Sequence, residues 1–164
     1  MRRILLSIFM LLFLVGCGEK QTVDVNLQGI SFDADMTYGK YKCICNVEIN
    51  GGGILEMEAK SPKSIAGTKL IFDGDKVVIT YKGLEYIPEM PISNETANEI
   101  INKILGSVSS GYKQAVRTDK GFLLEGEVAG YAYSLYVTEG GLPLSLECKK
   151  ANLYAEFSNV KILN

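Results

Sequence analysis

The chain has 164 residues, of which 47% are hydrophobic and 22% are charged. These proportions fit a single globular domain and exclude a disordered chain, a collagen-like chain and a bundle of membrane helices. With 17 basic and 19 acidic residues the formal net charge is −2, so there is no basic field to hold a nucleic acid.

The sequence contains no histidine. Histidine is the most common metal ligand and the usual general base near neutral pH. Its absence excludes Ser-His-Asp catalysis, Cys-His catalysis and most zinc hydrolases, and the chain offers no phosphate-binding loop. We therefore expect a protein that is not an enzyme, with no catalytic residue, no metal and no cofactor.

The first seventeen residues have three parts: a basic start at Arg2 and Arg3, a thirteen-residue run that is apolar apart from Ser7, and Cys17. As a helix the run would span about 20 Å, which is short of the roughly 30 Å core of a bilayer. The pattern is typical of a secretory signal peptide over residues 1–16 and not of a membrane span.

The end of this segment, Leu14, Val15, Gly16 and Cys17, resembles the lipobox of bacterial lipoproteins. The resemblance implies cleavage before Cys17, after its thiol has received a diacylglycerol, and acyl chains such as palmitate would then anchor the protein. It also implies display on the outer face of a bacterial membrane. Residues 17–26 are short, polar and unpatterned, and we predict a lipid-linked tether there, followed by a single domain over residues 27–164.

Apolar residues then recur at every second position, the signature of half-buried strands. The first half of the domain carries such runs from Ile30 to Tyr38, Tyr41 to Ile49, Leu55 to Ala59, Leu70 to Phe72 and Val77 to Tyr81. Short breaks such as Gly51-Gly52-Gly53 and Asp73-Gly74 separate them. Because short glycine-rich turns join antiparallel neighbours, these runs predict a meander.

One segment follows a helical period instead. Ala97, Ile100, Ile101, Ile104 and Leu105 form one stripe of a helix. We predict a helix over residues 94–106, capped by Ser93 or Asn94 and ended by Gly106.

Strand patterns resume after the helix, from Phe122 to Val128, Tyr131 to Val137, Leu142 to Cys148 and Leu153 to Phe157. Val160 and Ile162 continue one residue out of step, which predicts a β-bulge near Ser158 or Asn159. The fold predicted is mainly β with one central helix, an α+β chain: a strongly curved antiparallel sheet of about eleven strands, an incomplete barrel whose concave face the helix covers. A closed, lipocalin-like barrel is the alternative.

Three cysteines follow Cys17: Cys43, Cys45 and Cys148. Cys43 and Cys45 point the same way from one strand, with Cα atoms about 6.6 Å apart and parallel side chains, which is too far at Cβ for a relaxed disulfide. All three fall on apolar faces, which favours buried thiols. A disulfide from Cys148 to Cys43 or to Cys45 is the alternative, and it requires neighbouring strands.

Three local features stand out: Pro62, the Phe72-Asp73-Gly74 hairpin and the Leu142-Pro143-Leu144 strand entry. They resemble the lipoprotein-carrier superfamily, which holds the periplasmic carrier and the outer-membrane receptor for lipoproteins. The stretch from Tyr81 to Glu85 and on through the helix is similar to clostridial germination lipoproteins, which act as partners of a cell-wall amidase. The resemblance implies a concave apolar face able to hold acyl chains, and it places Ile65 in the loop that carries an exposed apolar residue in the receptor.

Two functions follow from this resemblance. The first is a non-catalytic interaction module of the cell envelope that partners a cell-wall enzyme such as an amidase, and it is favoured because Arg117 is not matched to the carriers' helix-latching arginine. The alternative is a lipid or lipoprotein carrier that binds an apolar ligand in the concave face. The side chains predicted to line that cavity are Phe32, Met36, Tyr41, Met57, Phe72, Ile79, Ile101, Phe122, Leu124, Tyr133 and Leu135.

Overall fold

The structure, a computed structural model, describes residues 20–74, 76–88 and 96–163. The predicted signal peptide, the lipobox with Cys17, and the predicted helix caps Ser93 and Asn94 lie outside the described residues.

These residues form one twelve-stranded antiparallel sheet. Its strands are β1 Lys20–Asn26, β2 Ile30–Tyr38, β3 Tyr41–Ile49, β4 Leu55–Ser61, β5 Lys69–Asp73, β6 Lys76–Tyr81, β7 Leu84–Tyr86, β8 Ser110–Thr118, β9 Gly121–Val128, β10 Tyr131–Val137, β11 Pro143–Cys148 and β12 Leu153–Ile162. Their order across the sheet is β1-β8-β9-β10-β11-β12-β2-β3-β4-β5-β6-β7. The two edges are therefore β1 and β7, and the sheet is not closed into a barrel, so the lipocalin-like alternative is wrong.

One helix, α1, spans Ala97–Val108 between β7 and β8. Thr96 caps its start: the Thr96 hydroxyl accepts from the Glu99 backbone N–H, and the Glu99 carboxylate accepts from the Thr96 backbone N–H. This reciprocal pair satisfies two backbone donors that a helix start otherwise leaves unpaired. The helix runs two residues past Gly106, because Leu105 and Val108 continue the buried stripe. The predicted end at Gly106 is therefore wrong.

The buried side chains of the strands lie on one side of the sheet, which we call the inner face, together with the apolar stripe of α1. Strands β6 and β7 contribute no fully buried side chain. Val25, Phe32, Met57 and Leu135, on four well-separated strands, are all almost fully buried there. Twelve strands laid flat would be roughly 55 Å wide, whereas α1 is about 18 Å long and about 10 Å across. One helix can cover side chains that far apart only if the sheet bends around it.

The coarse fold prediction, mainly β with one helix and an open antiparallel sheet, is confirmed within the described residues. The strand count is twelve, and the alternating runs identified in the sequence miss three of these strands, β1, β7 and β8. Residues 20–26 are not a tether: β1 pairs with β8 along its whole length and buries Val23 and Val25. Near the β7 edge the inner face is less completely covered. The inner-face residues Val77 and Ile79 of β6 are only half-buried there.

The predicted bulge in the last strand is confirmed. The pairing of β12 with β2 shifts register between Ser158 and Lys161, and Asn159 takes the left-handed conformation with φ of 53°. The extra residue lets the Asn159 side-chain amide donate to the Asp33 carboxylate at 2.8 Å.

Candidate functional site

Eight of the eleven side chains predicted to line a cavity belong instead to the packed core. They are Phe32, Met36, Met57, Phe72, Ile101, Phe122, Leu124 and Leu135. Ile100, Ile104 and Leu105 of α1 belong to the same cluster, and the Phe32 and Phe157 rings meet edge to face with centroids 5.0 Å apart. In the part of the chain described, the helix occupies the space that the sequence assigned to a ligand.

Tyr41 falls on the inner face as predicted, but its side chain is not covered there. It opens β3 opposite Tyr38, at the end of the β2–β3 hairpin, and its side chain is 66% exposed. The Lys40 ammonium lies 5.5 Å from the centre of its ring. The period-two pattern assigned the face correctly, but the hairpin end lies beyond the part of the face that the core covers.

Tyr133 is half-buried because it lies across a glycine on the neighbouring strand. It pairs with Gly126, and a Cβ atom on Gly126 would come within 2.5 Å of the Tyr133 hydroxyl oxygen. An aromatic ring laid over a strand glycine covers backbone that the missing side chain leaves bare. Tyr133 therefore has a packing role that its spacing along the strand did not reveal.

Within the part of the chain that the structure describes, three exposed apolar side chains lie together at the β7 edge. Leu84 is 74% exposed and Tyr86 is 61% exposed, and Ile87 after the strand is also exposed. In the described residues β7 pairs only with β6. The sequence analysis missed this site. Its signal was the Lys82-Gly83 turn followed by three residues and Ile87-Pro88, since a proline just past a short strand is typical of a sheet edge.

A polar groove of about 440 Å³ lies at the other edge of the sheet. It is lined by Thr22, Val23, Asp24, Asn26, Arg117, Phe122, Glu139 and Gly140. Arg117 forms an ion pair with Glu139 and stacks over the Phe122 ring at 5.8 Å. Both charged side chains are mostly exposed, and an exposed pair of this kind contributes little to stability.

The three cysteines that follow Cys17 are free thiols in the structure. Cys148 lies on β11, which β12 and β2 separate from β3. Three strand spacings amount to about 14 Å, and a disulfide needs Cα atoms within about 7 Å. The alternative of a disulfide from Cys148 to Cys43 or Cys45 is therefore wrong. Cys45 and Cys148 are buried, whereas Cys43 is half-buried, and the Cys43 and Cys45 Sγ atoms are 3.2 Å apart.

Two carboxylates on the opposite, outer face, Asp33 and Glu58, are stabilised in their charged form. Hydrogen bonds from Asn159 and then Asn46 lower the pKa of Asp33, and the hydrogen bond from Lys60 lowers the pKa of Glu58. A general acid needs the opposite shift, a pKa raised by burial. Among the described residues no three His, Cys, Asp or Glu side chains gather as a metal site.

Ile65 is exposed in the loop between β4 and β5. Within the described residues, no helix has both the length and the apolar composition needed to cross a bilayer.

No protein-family model matches the chain, and no curated protein matches it. Among solved structures it is similar to an uncharacterized conserved protein from Thermus thermophilus, with 14% identity and a TM-score of 0.48 over 82% of this chain and 78% of that one. It is also similar to a LolA superfamily protein from Nitrosomonas europaea, with 9% identity and a TM-score of 0.38 over 91% of this chain and 88% of that one. Neither likeness is close enough to assign a family, so the resemblance to lipoprotein carriers and to germination lipoproteins stays a prediction.

Proposed function

We propose that this protein is a lipid-anchored bacterial lipoprotein, displayed on the outer face of the membrane, that binds an envelope protein through its β7 edge and catalyses no reaction. The observation that carries the proposal is a contrast within one sheet. The inner face is filled by the chain's own helix, with Ile104 fully buried, whereas Leu84 and Tyr86 of β7 stay largely exposed.

The anchor rests on the basic start, the apolar run and the lipobox ending at Cys17. Because β1 begins at Lys20, three residue steps separate the acylated cysteine from the sheet, a reach of about 10 Å. The lipid would thus hold the domain against the bilayer by its β1 edge. The β7 edge, at the far side of the sheet order, is then the one available to a partner.

An extended segment of the partner would add to the sheet beside β7. An edge strand offers unpaired backbone donors and acceptors for such addition, and alternate side chains give it specificity. Leu84 and Tyr86 are two residues apart on β7 and would contact the apolar side chains of that segment. A cell-wall enzyme such as an amidase is the partner class that we propose, because the lipid anchor would place the protein beside the wall.

A lipid carrier is the second candidate. It is favoured by the β5–β6 part of the inner face, where Leu70, Val77 and Ile79 are only half-buried. An acyl chain entering there would contact an apolar surface that α1 leaves partly open.

The anchor is tested by expressing the full chain as Cys17→Ser and following it by detergent partition and labelled-palmitate incorporation. We expect loss of the label and release from membranes, whereas Cys148→Ser, a buried thiol in the core, keeps both. A Cys17→Ser protein that still fractionates with membranes would contradict the anchor.

The binding role is tested by placing a photo-crosslinking residue at Tyr86 in the anchored protein, with Tyr112 as the matched control. Tyr112 is 77% exposed and lies on β8, beside the other edge. We expect one stoichiometric envelope protein to crosslink at Tyr86 and not at Tyr112. Native mass spectrometry of the same preparation distinguishes the two proposed functions. A bound acyl ligand with no protein partner would support the lipid carrier and contradict the interaction module.

A further inference from the structure

Two thiols that the proposed function does not use face each other on the inner face. Cys43 and Cys45 lie two residues apart on β3, and one thiol donates a hydrogen bond to the other across 3.2 Å. The strand pattern predicted parallel side chains, but both thiols lean toward each other. Cys43 is half-buried and Cys45 is buried. A reagent from solvent would therefore reach Cys43 first, and Cys45 lies next to it in the core.

A bond between these sulfurs requires little movement. A disulfide is about 2.05 Å long, so the Sγ atoms must approach by only about 1.2 Å. The Cα separation of residues two apart on a strand, about 6.6 Å, falls inside the range that disulfides span. The Cβ atoms must also come closer, which requires β3 to pucker.

The sheet is already irregular at this point. The pairing of β3 with β4 shifts between Ile44 and Cys45: Ile44 lies opposite Ser61, Cys45 lies opposite Ala59, and Lys60 has no partner in the register. A bulge interrupts the ladder of backbone hydrogen bonds. Puckering of β3 here therefore breaks fewer hydrogen bonds to β4 than it would in a regular part of the sheet, whereas the pairing of β3 with β2 is continuous at this point.

We propose that Cys43 and Cys45 form a reversible dithiol–disulfide pair that exchanges with external disulfides. The Cys43 thiolate attacks one sulfur of the external disulfide, forms a mixed disulfide and releases one thiolate. Cys45 gives its proton to solvent and attacks the Cys43 sulfur, which forms the Cys43–Cys45 bond and releases the second thiolate. The external disulfide is reduced to two thiols, and the cysteine pair is oxidised by the same two electrons.

The environment of Cys45 explains why Cys43 attacks first and Cys45 second. Burial, together with the hydrogen bond to Cys43, raises the pKa of the Cys45 thiol, so little Cys45 thiolate is present near neutral pH. Cys45 is suited to resolve a mixed disulfide and not to start the reaction. The ring that closes around Ile44 is strained, and strained disulfides are the easily reduced, regulatory ones. The pair therefore acts as a switch and not as a permanent crosslink.

The experiment is a glutathione redox titration of the full chain carrying Cys17→Ser, with alkylation of the remaining thiols and intact-mass measurement. We expect two of the three thiols to become protected, with a mass lower by two hydrogens and full reversal by excess reduced glutathione. Cys148→Ser is the matched control and keeps this behaviour, because Cys148 lies three strands away.

Cys45→Ser is expected to stop at the mixed disulfide with glutathione on Cys43, and circular dichroism of that variant shows whether it has folded. Two results would overturn the proposal: three alkylatable thiols at every glutathione ratio, or bound glutathione that persists in the protein with both cysteines intact. Peptide mapping that joined Cys148 to either cysteine would overturn it equally.

Discussion

The two edges of the sheet, β1 and β7, are built in opposite ways. β1 has seven residues, buries Val23 and Val25 in the core, and turns polar residues outward. The turn between β10 and β11 lies against it, so that Gly141 packs on the Asp24 carbonyl. β7 has three residues, all of them exposed.

An uncovered edge strand invites pairing with another chain, and proteins normally protect such edges. Here one edge is protected by the chain's own turn and by its place in the core. The other is short and carries Leu84 and Tyr86 toward solvent. The difference indicates that β1 is an integral part of the domain, and it leaves the exposed apolar side chains of β7 as the surface on which the proposed binding depends.

The helix fills the inner face between the two edges, and disrupting its packing should have the largest effect. Ile104 is fully buried against the sheet, so Ile104→Asp would place an unpaired charge in the core. We expect a loss of several kcal/mol of unfolding free energy, enough to unfold the domain. Denaturant titration measures it. The control is Asn102→Asp, a nearly isosteric change at a half-exposed helix position, which should leave the fold intact.

Closure of the β1 edge is tested at the β10–β11 turn. Gly141 has φ of +77°, and a Cβ there would overlap the Asp24 carbonyl oxygen. Gly141→Ala should therefore push the turn away from β1 and destabilise the protein by roughly 2–4 kcal/mol.

The matched control is Gly140→Ala, one residue away, where the nearest atom lies at an ordinary 3.7 Å. Hydrogen exchange should show faster exchange in β1 for Gly141→Ala alone. Equal stability of the two variants would mean that the turn does not hold the β1 edge.

The β7 edge should respond in binding and not in stability. Leu84→Lys changes an exposed side chain, so the free energy of unfolding should move by less than about 0.5 kcal/mol. Crosslinking to the envelope partner should fall at least tenfold. Ile162→Lys serves as the control because Ile162 is 73% exposed at the end of β12. A comparable loss of binding in both variants would mean that β7 is not the binding edge.

A substitution at the centre of the sheet should have the smallest effect on stability, and it serves as a reference for the substitutions at the two edges. On the outer face of β12 the Tyr154 hydroxyl donates to the Glu156 carboxylate at 2.7 Å, which raises the pKa of Tyr154 to about 12. The neutral phenol is thus favoured in the folded state. Its contribution to stability is complete below about pH 10, the pKa of an unfolded tyrosine, and is lost as pH rises toward 12.

We therefore expect the stability difference between the unmodified protein and Tyr154→Phe to be constant below pH 10 and to shrink between pH 10 and 12. Tyr112→Phe, at an exposed tyrosine near the β1 edge, is the control in the same urea titrations. A difference that stays constant to pH 12 would mean that the Glu156 hydrogen bond does not persist in solution.

The sequence by itself determined most strands, the face that each strand buries, the existence and apolar stripe of α1, and the bulge at Asn159. Each depends on spacing along one segment, and a period of two or of 3.6 residues is visible without knowing the neighbours. The same logic failed at β1, because Val23 and Val25 are only two apolar residues in a polar stretch. Pairing with β8, more than eighty residues away, makes them a strand.

Only the tertiary structure decided which inner-face residues form core and which are exposed. Tyr41 and Leu135 follow the same alternating pattern, yet one is largely exposed and the other fully buried, because burial depends on where the helix lies across the curved sheet. It also decided that Cys43 and Cys45 lean together while Cys148 stands three strands away. Distances between strands and the cover that a helix provides are set by packing across the whole domain, and no local pattern encodes them.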